Sequence, residues 1–203
     1  MKEKKYAFTF ILFNAAFSFF IIFFIVNAIR FAGCFSAAEN VLQTDSQIMR
    51  IKLYNSGDES VSAVVSILDT DGSDCAVIER SWHGTFLAAD FMCASFSGKN
   101  FYFPKQIYGL SNISAANSTR LTGGSRGTYL FPYYNENSLC LLAGKSRPAS
   151  EKALYKISSF AFSPAAAVAA GFVSKISVNL AGLENGKYYG IFTENGNLVL
   201  REE

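Results

Sequence analysis

The pattern of apolar and polar positions divides the chain into two unlike parts. From Tyr6 to Ile29 no side chain is charged. Polar residues interrupt this run only at Thr9, Asn14, Ser18 and Asn27. A helix rises about 1.5 Å per residue, so roughly 20 such residues cross a hydrocarbon core of about 30 Å. A run that is apolar on every face predicts a membrane-spanning helix rather than the core helix of a soluble domain.

The stretch after Arg30 keeps a helical period but is no longer apolar on every face. Apolar or small residues recur at positions 34/35, 38, 41/42 and 48/49, with a gap near Asp45. This spacing places them on one face of a helix. The sequence therefore predicts a helical stalk over residues 31–50 that continues the membrane helix.

Beyond about Met49 the period changes from that of a helix to that of a strand. Val61, Ala63, Val65 and Ile67 alternate with Ser62 and Ser66, which is typical of a strand with one polar face. Further strands are predicted at Cys75–Trp82, Thr85–Phe96, Asn100–Phe103, Thr128–Tyr134, Ser138–Ala143, Phe172–Leu180, Lys187–Thr193 and Asn197–Arg201. The predicted fold class is α+β: an N-terminal transmembrane helix with a helical extension, then a mainly antiparallel β-sheet domain.

Turn signals separate several of these strands. Asp71-Gly72, Ser97-Gly98, Asn185-Gly186 and Asn195-Gly196 are typical of tight hairpins, because such residues tolerate positive φ. The last two pairs predict a three-stranded meander at the C-terminus. Ser111 to Arg126 is rich in Ser, Asn, Thr and Gly and predicts one long loop, and Ser163 to Gly171 predicts a short helix.

The charges orient the membrane helix and exclude nucleic acid as a partner. Residues 1–30 carry a net charge of +3 and the whole chain carries +2, so residues 31–203 carry −1. The positive-inside rule then predicts a cytoplasmic tail over residues 1–5, a transmembrane helix or signal-anchor over 6–30 and an extracytoplasmic domain over 51–203, in the periplasm or at the cell surface. Membrane lipid is the expected partner of residues 6–30. A near-neutral domain lacks the clustered basic surface that phosphate binding needs.

Several fates are open to the N-terminal segment. It can remain as an uncleaved anchor, or it can be a signal peptide cut after the small residues Ser36-Ala37-Ala38. Phe31-Ala32-Gly33-Cys34 resembles the lipobox of bacterial lipoproteins, in which the cysteine is acylated and becomes the mature N-terminus. Arg30 and the long apolar run before it depart from that pattern.

A further resemblance lies at the extreme N-terminus. The basic stretch Met1 to Ala7, followed by Phe8-Thr9-Phe10-Ile11-Leu12, resembles the leader of type IV prepilins and pseudopilins. Ala7 stands where that family usually has glycine, and Leu12 stands where it usually has an acidic residue. The resemblance implies cleavage between Ala7 and Phe8, and lateral packing of the apolar helices with other membrane or fibre subunits.

Few residues suggest chemistry. His83 is the only histidine, and the cysteines beyond the membrane run are too dispersed to suggest a zinc site, so no metal or cofactor is predicted. Cys75 and Cys93 could face each other across adjacent strands. Asp69-Thr-Asp71-Gly72-Ser-Asp74 contains clustered carboxylates of the kind that calcium prefers, but a hairpin turn accounts for it without a metal.

One arrangement of residues resembles an enzyme family. Sortases are membrane-anchored cysteine transpeptidases in which a histidine, a cysteine and an arginine follow one another, and His83, Cys140 and Arg147 occur in that order. The resemblance implies a cysteine nucleophile, a histidine that handles the leaving-group proton and an arginine at the oxyanion. The Thr-Leu-x-Thr-Cys context of that family is largely missing.

The aromatic run Tyr129–Tyr134 can fill the core of a strand or form a contact patch. Together these observations favour a non-catalytic structural or interaction module that is held at a membrane. A pilin-like minor subunit is its sharpest form, and a lipoprotein-type surface protein or a sortase-like transpeptidase are the alternatives.

Overall fold

The computed structural model describes residues 2–42, 44–111, 127–144, 148–163 and 171–203, with side chains from residue 10 onward. It begins with helix α1, Lys2–Glu39, whose 38 residues run without a break from the N-terminal end of the chain into the domain. The helix ends where the amides of Asn40 and Val41 turn back to the carbonyls of Ala37 and Ala38.

Eleven strands and two further α-helices follow in the described residues. In chain order they are β1 Ser46–Ser56, β2 Ser60–Leu68, β3 Asp74–His83, β4 Phe86–Phe96, β5 Lys99–Leu110, β6 Thr128–Tyr129, α2 Phe131–Tyr134, β7 Asn135–Glu136, β8 Leu139–Cys140, α3 Pro148–Ala161, β9 Val173–Asn179, β10 Tyr188–Glu194 and β11 Asn197–Glu202. A 3₁₀ turn, Leu141–Ala143, lies between β8 and α3. The prediction of an N-terminal apolar helix followed by antiparallel sheets in an α+β fold is confirmed.

Two antiparallel sheets and a small hairpin make up the domain. The larger sheet has the order β11-β10-β1-β2-β3, the second has the order β6-β5-β4-β9, and β7 pairs with β8. The inward residues of β1 and β2 include Ile51, Val65 and Ile67, which are fully buried, as is Phe91 of β4. Both sheets, α3 and the end of α1 contribute to one hydrophobic core.

The predicted hairpin turns are confirmed at three of the four Gly-containing pairs. Ser97 and Gly98 have φ of 51° and 72°, and Asn195 and Gly196 have φ of 49° and 73°, the left-handed values that a type I′ turn requires. Gly72 has φ of 78° in the turn between β2 and β3. These pairs join β4 to β5, β10 to β11 and β2 to β3.

The predicted C-terminal meander is wrong. β9 pairs with β4 in one sheet, whereas β10 pairs with β1 and β11 in the other. The connection between them crosses from sheet to sheet: the amide of Leu180 donates to Leu87 and that of Gly186 donates to Leu53. The Asn185-Gly186 pair therefore joins two sheets rather than closing a hairpin.

Residues 128–143 contain less strand than predicted. β6 stops after Tyr129 because Pro132, which lacks an amide hydrogen, lies in the first turn of the short helix α2. Asn137 and Ser138 then form a turn with φ of 50° and 63°, which leaves only two residues for β8. Most of the predicted loop 111–126 and of the predicted helix 163–171 lies outside the described residues.

Helix α3 was not predicted. Its apolar residues, Ala153, Leu154, Ile157, Phe160 and Ala161, are all buried. They follow a helical spacing, and Pro148 stands at the first position, where proline is favoured. Both signals are present in the sequence.

Candidate functional site

The exposed part of α1 is the most distinctive surface of the protein. Residues 10–39 lie in a helix long and apolar enough to cross a membrane, and its most apolar stretch has no buried side chain. Phe19 is 73% exposed and Ile29 is 67% exposed. The side-chain amides of Asn14 and Asn27 donate to the backbone carbonyls four residues earlier, each at 2.8 Å. These polar side chains therefore have hydrogen-bond partners within the helix.

The last two turns of α1 are part of the domain core. Cys34, Ala37, Ala38 and Val41 are each at most 5% exposed. The predicted helical stripe is therefore buried at positions 34 and 38, whereas position 41 follows the helix and positions 48/49 lie in β1. The helix ends at Glu39 and β1 begins at Ser46, so the extension is shorter than the predicted stalk of residues 31–50 and is docked rather than free.

An aromatic junction connects the apolar helix α1 to the domain. It consists of five phenylalanines from α1, β4, α3 and the segment before β9: Phe31, Phe35, Phe96, Phe160 and Phe172. The ring centroids of Phe31 and Phe172 are 5.0 Å apart at 85°, and those of Phe35 and Phe96 are 5.2 Å apart at 84°. Edge-to-face pairs of this kind are each worth about 0.5–1.5 kcal/mol beyond the area they bury.

Lys99, at the start of β5, caps the C-terminus of α1. Its ammonium donates to the carbonyl of Ala38 at 2.9 Å and to that of Val41 at 2.7 Å. The last carbonyls of a helix have no partner within the helix, and they carry its negative dipole end. A lysine on the β4–β5 hairpin therefore fixes the position where the helix ends against the second sheet.

The candidate processing residues all lie in α1. Ala7 and Phe8 are in its first turns. Cys34 is 1% exposed and packs near the carbonyl of Lys156 on α3, and Ala38 is fully buried. Cutting just before Cys34 would remove Phe31, which packs against the core, and cutting after Ala38 would also remove the buried residues Cys34, Ala37 and Ala38.

The structure does not bring the predicted transpeptidase residues together. Cys140 is fully buried, and this burial raises the pKa of its thiol to about 12, so the reactive thiolate is scarce at neutral pH. The amide of Thr70 donates to the carbonyl of Leu142 at 3.0 Å, which places the Cys140 segment beside the β2–β3 turn. His83 is exposed at the opposite end of β3 from this turn. A strand of ten residues is about 30 Å long, so β3 separates His83 from the turn by about that distance. Arg147 lies outside the described residues.

The cysteine pairing considered from the sequence is not formed. Cys75 lies on β3 and Cys93 lies on β4, which belong to different sheets. Cys34, Cys93 and Cys140 are thiols.

The acidic turn between β2 and β3 is held by its own backbone. The carboxylate of Asp69, which is buried, accepts the amides of Asp71 at 2.9 Å and Ser73 at 2.8 Å. This is the arrangement of an Asx turn. In the part of the chain that the structure describes, no group of three or more His, Cys, Asp or Glu side chains could hold a metal ion.

The aromatic run 129–134 is divided between core and surface. Tyr134 is fully buried, and its hydroxyl donates to the carbonyl of Pro104 at 2.7 Å. Tyr129 and Tyr133 are exposed. The core role is therefore confirmed for Tyr134, and the contact patch stays a prediction for the exposed tyrosines.

A polar cluster on the second sheet was missed from the sequence. The buried carboxylate of Asp90 accepts the hydroxyl of Tyr108 at 3.1 Å, that of Ser177 at 2.5 Å and the ammonium of Lys175 at 3.0 Å. Burial, and then the neighbouring carboxylate, raise the pKa of Tyr108. The cluster joins β4, β5 and β9, and it can be found only once the strand order is known.

Comparison of the chain with protein-family models, with curated proteins and with solved structures finds no match.

Proposed function

We propose that the protein is a single-pass, membrane-anchored structural or interaction module, with residues 1–5 in the cytoplasm and the β-rich domain on the extracytoplasmic side. The observation that carries this proposal is the continuity of α1. One helix offers an apolar surface that nothing in the domain covers, and then supplies buried residues to the domain core. Such a helix both anchors the domain and fixes its position above the membrane.

The buried end of α1 supports a mature protein that retains this helix. Removal of residues up to Cys34 or Ala38 would expose the surfaces of Phe96 and Phe160 that α1 covers. A cut after Ala38 would also remove one of the two carbonyls to which Lys99 donates. Loss of several buried side chains from one core costs several kcal/mol, a large part of the stability of a domain this size.

A pilin-like subunit is the specific form that we propose. The leader resemblance at Ala7 and Phe8 supports it, and so does a long helix that is largely exposed from Phe10 to Arg30 and docked on the domain over its last two turns. In that form the exposed apolar face of α1 packs against the helices of other subunits, and the β domain is displayed outward. A cut between Ala7 and Phe8 leaves the core intact.

The sidedness of the domain is tested by labelling with a membrane-impermeant maleimide in right-side-out vesicles. Asp58→Cys lies in the exposed β1–β2 turn, and Lys4→Cys lies in the cytoplasmic tail. We expect the first variant to react at once and the second only after the vesicles are opened. The wild-type chain, which has its own cysteines, supplies the background. Reaction in the reverse order would place the domain in the cytoplasm and refute the proposal.

The mature N-terminus distinguishes a pilin-like subunit from a plain anchor and from a lipoprotein. Intact mass should show a protein that starts at Phe8, with a methylated amine, if the chain is processed as a pilin-like subunit. A chain that starts at Met1 would be a plain anchor. An acylated Cys34 at the N-terminus would show a lipoprotein and contradict retention of the helix.

A further inference from the structure

An aromatic patch lies on the domain surface beside the aromatic junction. We define the basal patch as Tyr129, Phe131, Tyr133 and Phe162, from β6, α2 and the end of α3. The ring of Phe162 is 4.5 Å from that of Phe131 and 6.0 Å from that of Tyr129. Tyr129 is 46% exposed and Tyr133 is 43% exposed. The rings of Tyr129, Phe131 and Phe162 are therefore packed together, and Tyr129 and the neighbouring Tyr133 are open to the surroundings.

The direction of α3 places the basal patch on the membrane side of the domain. The Cys34 thiol lies 3.9 Å from the carbonyl of Lys156, and the ring of Phe31 lies 5.7 Å from that of Phe160. Moving toward the membrane along α1, from Cys34 to Phe31, thus corresponds to moving toward the C-terminus of α3. The two helices are antiparallel, and the C-terminal end of α3 points toward the membrane.

The level of the basal patch follows from the same pairing. Phe162 continues the last turn of α3, since its amide donates to the carbonyl of Ser158 at 3.0 Å. Two residues beyond Phe160 correspond to about 3 Å along the helix axis. Phe162 is then nearly level with Arg30, the first charged residue after the apolar run. Each headgroup layer outside the hydrocarbon core is roughly 5–8 Å thick. The basal patch therefore lies at the depth of the headgroup layer.

We propose that the basal patch seats in the lipid headgroup layer of the membrane that α1 crosses, and this rests on the function proposed above. Tyrosine suits this layer because its ring is apolar and its hydroxyl remains hydrated. A domain that touches the membrane at α1 and again at the patch has two points of attachment. Its tilt is then fixed, and a constant face of the β sheets is presented to partners.

The test uses the full chain in lipid nanodiscs and tryptophan as a probe of depth. The chain has one tryptophan, Trp82, which is buried and supplies a constant background. Three single variants each add a second tryptophan at an exposed apolar or aromatic position: Tyr133→Trp in the patch, Leu42→Trp past the far end of α1, and Phe20→Trp within the membrane run. Leu42 follows the end of α1, and that end lies about 14 Å farther along the helix than Arg30.

The discs contain phosphatidylcholine with a minor share of phosphatidylglycerol, and their acyl chains are unmodified, brominated near the headgroup, or brominated near the chain end. The chain-end bromines serve Phe20→Trp, which lies about 15 Å from Arg30 along α1. Bromine quenches tryptophan only at short range. A side chain seated at the boundary of the headgroups and acyl chains lies within about 5–10 Å of the bromines, so we expect the added fluorescence of Tyr133→Trp to fall at least about twofold. That of Leu42→Trp should be unchanged.

The three variants separate the possible failures. If Phe20→Trp is quenched and Tyr133→Trp behaves as Leu42→Trp does, the patch faces water and this inference is wrong, while the anchor survives. If Phe20→Trp is not quenched either, the membrane placement of α1 fails and the inference fails with it. Circular dichroism of each variant, compared with the wild type, shows that the added ring leaves the fold unchanged.

Discussion

Replacing Lys99 with methionine tests whether the end of α1 is locked into the domain. Methionine keeps an unbranched apolar stem of similar length, but it removes the ammonium that donates to Ala38 and Val41. The substitution therefore isolates the cap from the packing of the side chain.

The expected loss is worked from those contacts. A hydrogen bond from a charged donor contributes about 1.5–3 kcal/mol, and a cation at a helix C-terminus contributes about 0.3–1 kcal/mol. Lys99 is half-buried, and its two bonds share one charge, so they are not additive. We expect Lys99→Met to lower the free energy of unfolding by about 2–3 kcal/mol.

The assay is denaturant unfolding of the full-length protein in detergent micelles, followed by the fluorescence of Trp82, which is 2% exposed and reports on the core. Lys152→Met, at an exposed lysine of α3, is the matched control for loss of a positive charge. If the two variants unfold at the same denaturant concentration, the Lys99 cap does not lock the end of α1 into the domain.

Three further substitutions test the turn, the buried thiol and the polar cluster. Asp69→Ala should destabilise the domain by about 1–3 kcal/mol in the same assay, because two turn amides lose their acceptor, whereas Asp74→Ala, at an exposed carboxylate, should not. The pKa of the Cys140 thiol is raised from 9.0 to about 12, so the contribution of this thiol to the free energy of unfolding is complete below pH 9 and is lost as the pH rises toward 12. Cys140→Ala should therefore flatten the fall in stability between pH 9 and pH 12, and an unchanged slope would contradict this. Asp90→Asn should lower the pKa of Tyr108 toward its ordinary value, visible in the phenolate absorbance as an earlier titration step than in wild type.

Local pattern was enough to predict most elements of the fold. The alternation from Val61 to Ile67 and the Ser97-Gly98 and Asn195-Gly196 pairs are local signals, because a strand period and a positive φ depend on neighbouring residues. The apolar run of α1 is such a signal as well.

Sheet membership and the candidate sites needed the tertiary structure. The pairing of β9 with β4 rather than β10 is decided by packing between distant segments, and no turn residue encodes it. The cap at Lys99 and the network of Asp90 join residues about 60 and 85 positions apart, so their partners cannot be read from spacing. The basal patch likewise depends on the antiparallel packing of α3 against α1.

The most direct measurement of the whole account is alkaline carbonate extraction of membranes from cells that make the full chain, with the mass of the recovered protein. If α1 crosses the bilayer, the protein stays in the membrane pellet, and its mass includes the residues from Phe8 to Val41. Recovery of the protein in the carbonate supernatant, with those residues still attached, would contradict the membrane placement of α1 and the function proposed from it.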